Sequence, residues 1–154
     1  ESLVKIGDAA IGDWKSPPQF ALATLAAHIS ETKHLRAKPK LEAAVDLIRE
    51  GVDSPMETDL RLWAVSRNLP EPAVHPAVYC PTIDRTLHPD LGYPREKLAL
   101  EYEGDHHRTS EHQWAADIDR VNALRAAGWT VIRVTKSTNR HQLERDIRQH
   151  LGLQ

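Results

Sequence analysis

Two apolar runs flank one amphipathic run, and that order constrains the chain more than any other feature. "KLALEYE" (residues 97–103) alternates with the period of a strand. "SEHQWAADIDRVNALRAAG" (110–128) places Trp114, Ile118, Val121 and Leu124 at helical spacing, with Gly128 as its stop. "WTVIRVT" (129–135) is a second strand, apolar enough to read as interior. A strand, a helix and a strand in one sheet join by a right-handed crossover, so the two strands are expected side by side and parallel.

The segments around this unit extend the pattern. "SPMETDLRLWAVSRNL" (54–69) is predicted as a helix with Ser54 as N-cap and Pro55 in its first turn. "AVHPAVYC" (73–80) and "RTLHPDLGY" (85–93) read as strands interrupted by prolines, hence edge-like or bulged. "NRHQLERDIRQHL" (139–151) is a closing helix with Leu143, Ile147 and Leu151 on one face. From residue 54 the expected order is α-β-β-β-α-β-α. Residues 1–51 read as helical: 2–12 weakly, 19–30 through Leu22, Leu25, Ala26 and Ile29, and 39–50 through Leu41, Ala44, Val45 and Ile48, opened by Pro39 and closed by Gly51. The expected division is a helical segment 1–51 and an α/β domain 52–154.

Composition narrows the function classes. The 154 residues are 40% hydrophobic and 27% charged, the balance of a folded globular chain. No run approaches the roughly 18 apolar residues of a membrane span, and no secretory signal appears. The single cysteine, Cys80, excludes an internal disulfide framework and a CxxC metal site, and a cytoplasmic location is expected. Glu1 in place of an initiator methionine reads as a trimmed chain. Residues 1–106 hold 12 Lys/Arg against 17 Asp/Glu, whereas residues 107–154 hold 8 against 5. A basic tail beside an acidic cluster suits a polyanion handled through a cation, and also ordinary scatter.

The acids have two readings each. In "KLALEYE" one face carries Ala99, Glu101 and Glu103, with the carboxylates about 6.5–7 Å apart along the strand. Asp90 on the preceding strand can reach the same face. Two carboxylates and a main-chain carbonyl make an oxygen-rich site suited to Mg²⁺; a wet outer face is the plain alternative. Glu57 stands three residues after Ser54 and completes a capping box without any function. Asp117 and Arg120, three apart, read as a surface ion pair. His106 and His107 follow a turn at Gly104-Asp105, but no HExxH spacing supports zinc. The basic run "KHLRAKPK" (33–40) reads as a solvated loop or a phosphate contact, and Trp14, Trp63, Trp114 and Trp129 as core or boundary residues.

Four separated blocks carry a resemblance. "SPMETDLRL", "HPDLGYP", "LALEYEGDHHR" and "WAADIDRVNALRAAGWTVIRVT", in that order, resemble the PD-(D/E)xK nuclease superfamily, in the branch of very-short-patch mismatch-repair endonucleases. The resemblance spans roughly residues 52–151. It implies a restriction-endonuclease-like α/β/α fold with a mixed sheet. It also implies Mg²⁺-dependent hydrolysis of DNA, with Mn²⁺ as a substitute, leaving a 5′-phosphate. Asp90 then matches the motif aspartate and Glu101 the motif (D/E), with the Tyr102 carbonyl as a further metal ligand. Glu103 occupies the usual lysine position, Glu57 matches the acid of the first helix, and His107 matches the branch's histidine. Asp117 and Arg120 match its D-x-x-R. The missing lysine leaves His107 or Glu103 to act on the water, or leaves a domain that binds nucleic acid without cutting it. Residues 1–51 resemble the region before this domain in actinobacterial proteins that begin with an abortive-infection antitoxin-like winged helix. A third reading is a protein-interaction module within a toxin–antitoxin or defence system. Oligomeric state is not legible.

Overall fold

The computed structural model describes residues 2–12, 18–104 and 111–154, the side chains of 111–114 excepted. Among these residues the fold is mixed α/β, with six helices, a mixed four-stranded sheet and a small two-stranded sheet. The chain divides into two compact units, Glu1–Glu71 and Pro72–Gln154.

The first unit is helical: α1 (Ser2–Ile11), α2 (Leu22–Glu31), α3 (Lys38–Val45) and α4 (Pro55–Ser66). Its core gathers Val4, Ile11, Ala44, Ile48 and Leu62, flanked by Leu25 and Val45. The expected helix over 39–50 ends early, at Val45, and Ile48 reaches the core from the turn that follows. Lys38 of the basic run donates from Nζ to the Ser30 and Thr32 carbonyls at 2.5 and 3.3 Å, the usual service of a lysine at a helix C-terminus.

A buried polar network holds α4 to α1. Arg61 and Asp8 are both fully buried, and Arg61 Nη2 lies 3.0 Å from Asp8 Oδ2. The Thr58 hydroxyl donates to the same oxygen at 2.7 Å, and the Arg49 backbone N–H donates to Asp8 Oδ1 at 2.8 Å. Arg61 Nη1 and Arg49 Nη2 each reach a separate oxygen of Glu71, at 2.9 and 2.8 Å. Burial pushes the Glu71 carboxyl up, but the two arginines outweigh it and hold it below its ordinary value. This network explains why the packing boundary falls at Glu71/Pro72, whereas the sequence changes character near residue 51: α4 is tied to α1.

The second unit contains β1 (Ala73–Val74), β2 (Val78–Cys80), β3 (Arg85–Leu87), β4 (Leu91–Tyr93), β5 (Leu98–Glu103), α5 (Glu111–Ala126), β6 (Thr130–Thr135) and α6 (Arg140–Leu151). Five strands precede the crossover helix where three were expected. Each proline-interrupted run forms two short strands, because Pro76 and Pro89 cannot donate to a ladder. β2 and β3 form a separate hairpin, and the main sheet has the order β1-β4-β5-β6. β5 and β6 are adjacent and parallel, as the crossover requires. β6 is an edge strand among the described residues, not an interior one, and of its side chains only Val134 is fully buried.

The Ala99 face of the sheet packs with α5 and the hairpin through Ala99, Ala123, Leu124, Trp129, Val78 and Cys80. Gly92 is required there, since a Cβ would meet the Leu98 carbonyl oxygen at 2.8 Å and Pro76 Cγ at 3.1 Å. Gly128, at φ +84°, ends α5 in the left-handed conformation. Leu124 of α5 is buried as expected, but Ile118 is 36% exposed. Residues 115–119 are exposed on every side, so this stretch of α5 is not packed into the core. Trp14 and Trp114 lie outside the described side chains.

Removing the cation of the buried network while keeping side-chain bulk isolates its role. Arg61→Met leaves Asp8 buried without its partner and should cost about 3–5 kcal/mol, read from the urea midpoint at unchanged slope. A loss below about 1 kcal/mol would mean that the network contributes little.

Candidate functional site

The sheet register builds a row of polar residues across all four strands. β4 pairs antiparallel with β5 through Leu91↔Leu100 and Gly92↔Ala99, so one step further Asp90 faces Glu101. β1 pairs antiparallel with β4 through Ala73↔Gly92 and Val74↔Leu91, so the next step sets His75 opposite Asp90. β5 pairs with β6 through Glu101↔Arg133. Directly paired residues share a face. His75, Asp90, Glu101 and Arg133 therefore stand at one level of the register, His75 and Asp90 one residue past the ends of β1 and β4.

Hydrogen bonds fix the row. The β4–β5 ladder stops at Leu91, and the Asp90 carboxylate carries it one bond further by accepting the Tyr102 backbone N–H at 2.7 Å. The His75 N–H donates to the Asp90 carbonyl at 3.1 Å, and His88 Nδ1 lies 3.1 Å from the His75 carbonyl. His75 holds φ at +43°, an uncommon conformation for a residue with a side chain. Its ring nitrogen and an Asp90 carboxylate oxygen lie within 4.8 Å of each other. Both side chains are of metal-ligand type, the nitrogen donor suiting a transition ion and the oxygen donor a hard one.

The strand carboxylates meet guanidinium groups. Arg120 of α5 donates to Glu101 Oε1 from Nε at 3.3 Å and from Nη2 at 3.2 Å. Its Nη2 also donates to the His88 carbonyl at 2.6 Å. Glu103 is ion-paired with Arg133 Nε. Glu101 is 16% exposed at its side chain. Burial raises its pKa first, and the neighbouring Asp90 charge adds to the rise, against the opposing pull of Arg120 and Arg133. These groups open on a cleft of about 230 Å³, lined by Glu101, Glu103, Asp117, Arg120, Val121 and Arg133. The cleft sits at the C-terminal ends of parallel β5 and β6, where open α/β sheets bind ligands.

Of the residues singled out in the sequence, Asp90, Glu101 and Tyr102 are joined by register and hydrogen bond. Glu103, Asp117 and Arg120 line the adjoining cleft. Arg120 does not form the expected surface pair with Asp117; it reaches across to Glu101 and the His88 carbonyl instead. Tyr102 contributes its N–H to Asp90. His106 and His107 lie outside the described residues. Glu57 belongs to the first unit, where it closes the start of α4: the Ser54 hydroxyl donates to Oε1 at 2.7 Å, and the Asp53 N–H to Oε2 at 3.0 Å. The capping box is therefore present, shifted by one residue on its return arm. His75 was not singled out in the sequence; the repeated His-Pro of "VHPA" and "LHPD" was its only signal.

Comparison of the chain with protein-family models, with curated proteins and with solved structures finds no match. No helix among the described residues is long and apolar enough to cross a membrane.

The raised Glu101 pKa has a testable sign. Between the ordinary glutamate value and the raised one, the folded state holds a proton that the unfolded state has lost, so stability falls as pH rises through that window. Without added metal, Glu101→Gln should therefore gain stability relative to wild type as pH rises through this window, with the relative gain lost below it. Thermal melts across pH check this; a difference that is flat with pH contradicts the burial argument.

Proposed function

We propose that the chain is a divalent-metal-dependent DNA endonuclease or nickase on a restriction-endonuclease-like fold of the PD-(D/E)xK type. The observation that carries this reading is the placement of Asp90 beside Glu101 on one face of the sheet, in a site desolvated enough to raise the Glu101 pKa. Two carboxylates facing each other repel unless a cation joins them.

In this reading Asp90 and Glu101 hold Mg²⁺ or Mn²⁺, assisted by the Tyr102 carbonyl. The metal supplies activation of water and stabilisation of the charge developing on the phosphate. The Tyr102 N–H fixes one Asp90 oxygen and so orients the carboxylate. Arg120 and Arg133 place guanidinium forks in the cleft, a geometry that matches phosphate. Glu103 stands where a lysine would orient the water, and it is committed to Arg133. Proton handling then falls to His107. The Glu57 carboxylate is engaged in capping α4, and a catalytic role for it is tested by Glu57→Gln, which preserves the cap. The proposed setting is cytoplasmic, with DNA as the partner.

A second reading draws on the same ion pairs. Glu101 and Glu103 are both neutralised by arginine, as suits a domain that binds nucleic acid without cutting it, within a toxin–antitoxin or defence system. The test is cleavage of varied DNA with Mg²⁺ and Mn²⁺. Asp90→Asn should abolish cleavage with the fold intact by circular dichroism, and His107→Ala should slow it about 10²–10⁴-fold. Equal cutting by wild type and Asp90→Asn marks contamination. Salt-dependent binding without cutting by either favours the second reading.

A further inference from the structure

Arg120 already occupies one of the two carboxylates read as metal ligands. Its Nη2 bridges the His88 carbonyl on the approach to β4 and Glu101 Oε1 on β5, while Nε adds a second bond to the same carboxylate oxygen. Both acceptors flank Asp90: His88 precedes it by two residues, and Glu101 faces it across the ladder. A divalent ion joining Asp90 to Glu101 needs Glu101 oxygen lone pairs, and the guanidinium fork competes for one of those oxygens. The Arg120 side chain is 34% exposed, so it has solvent into which it can withdraw. The cleft beside it, lined also by Asp117, gives the displaced group an alternative anionic neighbour. Arg120 follows directly on residues 115–119 of α5, which are exposed.

We infer that Arg120 is a resident counter-cation that a divalent ion must displace from Glu101, so that the site alternates between an arginine-paired and a metal-bound state. This rests on the reading of Asp90 and Glu101 as metal ligands. Arg120 is a positioning residue in this scheme: it keeps the carboxylate pair assembled without metal and sets the ion concentration at which the site loads. The linkage is reciprocal, since whatever Arg120 gains from Glu101 the ion must overcome.

A purely structural arginine and a competing one predict opposite signs. Mn²⁺ affinity, read from the electron paramagnetic resonance of free Mn²⁺, should tighten by up to about fivefold in Arg120→Gln, with Arg120→Lys, which keeps the charge and loses the fork, in between. Arg125→Gln, an exposed change on the same helix, should leave affinity unchanged. In wild type, Mg²⁺ should shift the Arg120 Nε–H nuclear magnetic resonance signal, identified by its loss in Arg120→Gln. If Arg120→Gln does not fold by circular dichroism, Arg120→Lys and the wild-type resonance carry the test. Equal or weaker Mn²⁺ binding by the folded variants, with wild type binding, overturns the inference and leaves the metal site standing. No Mn²⁺ binding by wild type or any variant removes the metal site itself, and the inference with it.

Discussion

The bond from the Tyr102 N–H to the Asp90 carboxylate is the constraint on which the candidate site depends. Pro89 cannot donate, so backbone pairing stops where the sheet meets the site. A side chain then takes over the ladder and ties the last paired level to the first chemical one. Because register in a sheet is all or nothing, a slip by one residue would turn Asp90 to the opposite face. The buried leucines at 91, 98 and 100 prevent that slip. The apolar core on one face of β4 and β5 thus sets the polar row on the other.

The row also explains why carboxylates follow an apolar run. Leu98, Ala99 and Leu100 are fully buried, and Glu101, Tyr102 and Glu103 are half-buried. The strand runs out of the core into a cleft where arginines from α5 and β6 supply opposite charge. The charge of Glu101 is costly there despite Arg120, as its raised pKa shows. A site that holds unfavourable charge in a fixed geometry is prepared for a ligand that relieves it.

The parallel pairing of β5 with β6 was legible because a helix between two apolar strands leaves few alternatives, and the facing of Asp90 and Glu101 followed from strand alternation. His75 was not legible. Its place depends on the two-residue strand β1 pairing with β4, and two residues carry no periodicity. The target of Arg120 was hidden for a related reason: its three-residue spacing from Asp117 suggests a helix-surface pair, whereas Glu101 lies 19 residues away in sequence. The edge position of β6 was missed because an apolar strand reads alike at an edge and in the interior, and Ile118 because helical spacing does not say what the helix packs on.

The central claim is that Asp90 and Glu101 together hold one divalent cation. Crystals grown in Mn²⁺, with anomalous scattering recorded near the manganese edge, address it most directly. The account predicts a single strong peak about 2 Å from a carboxylate oxygen of each residue, with Glu101 turned from Arg120 toward the ion. Absence of that peak at saturating Mn²⁺, with Glu101 still paired to Arg120, would contradict it.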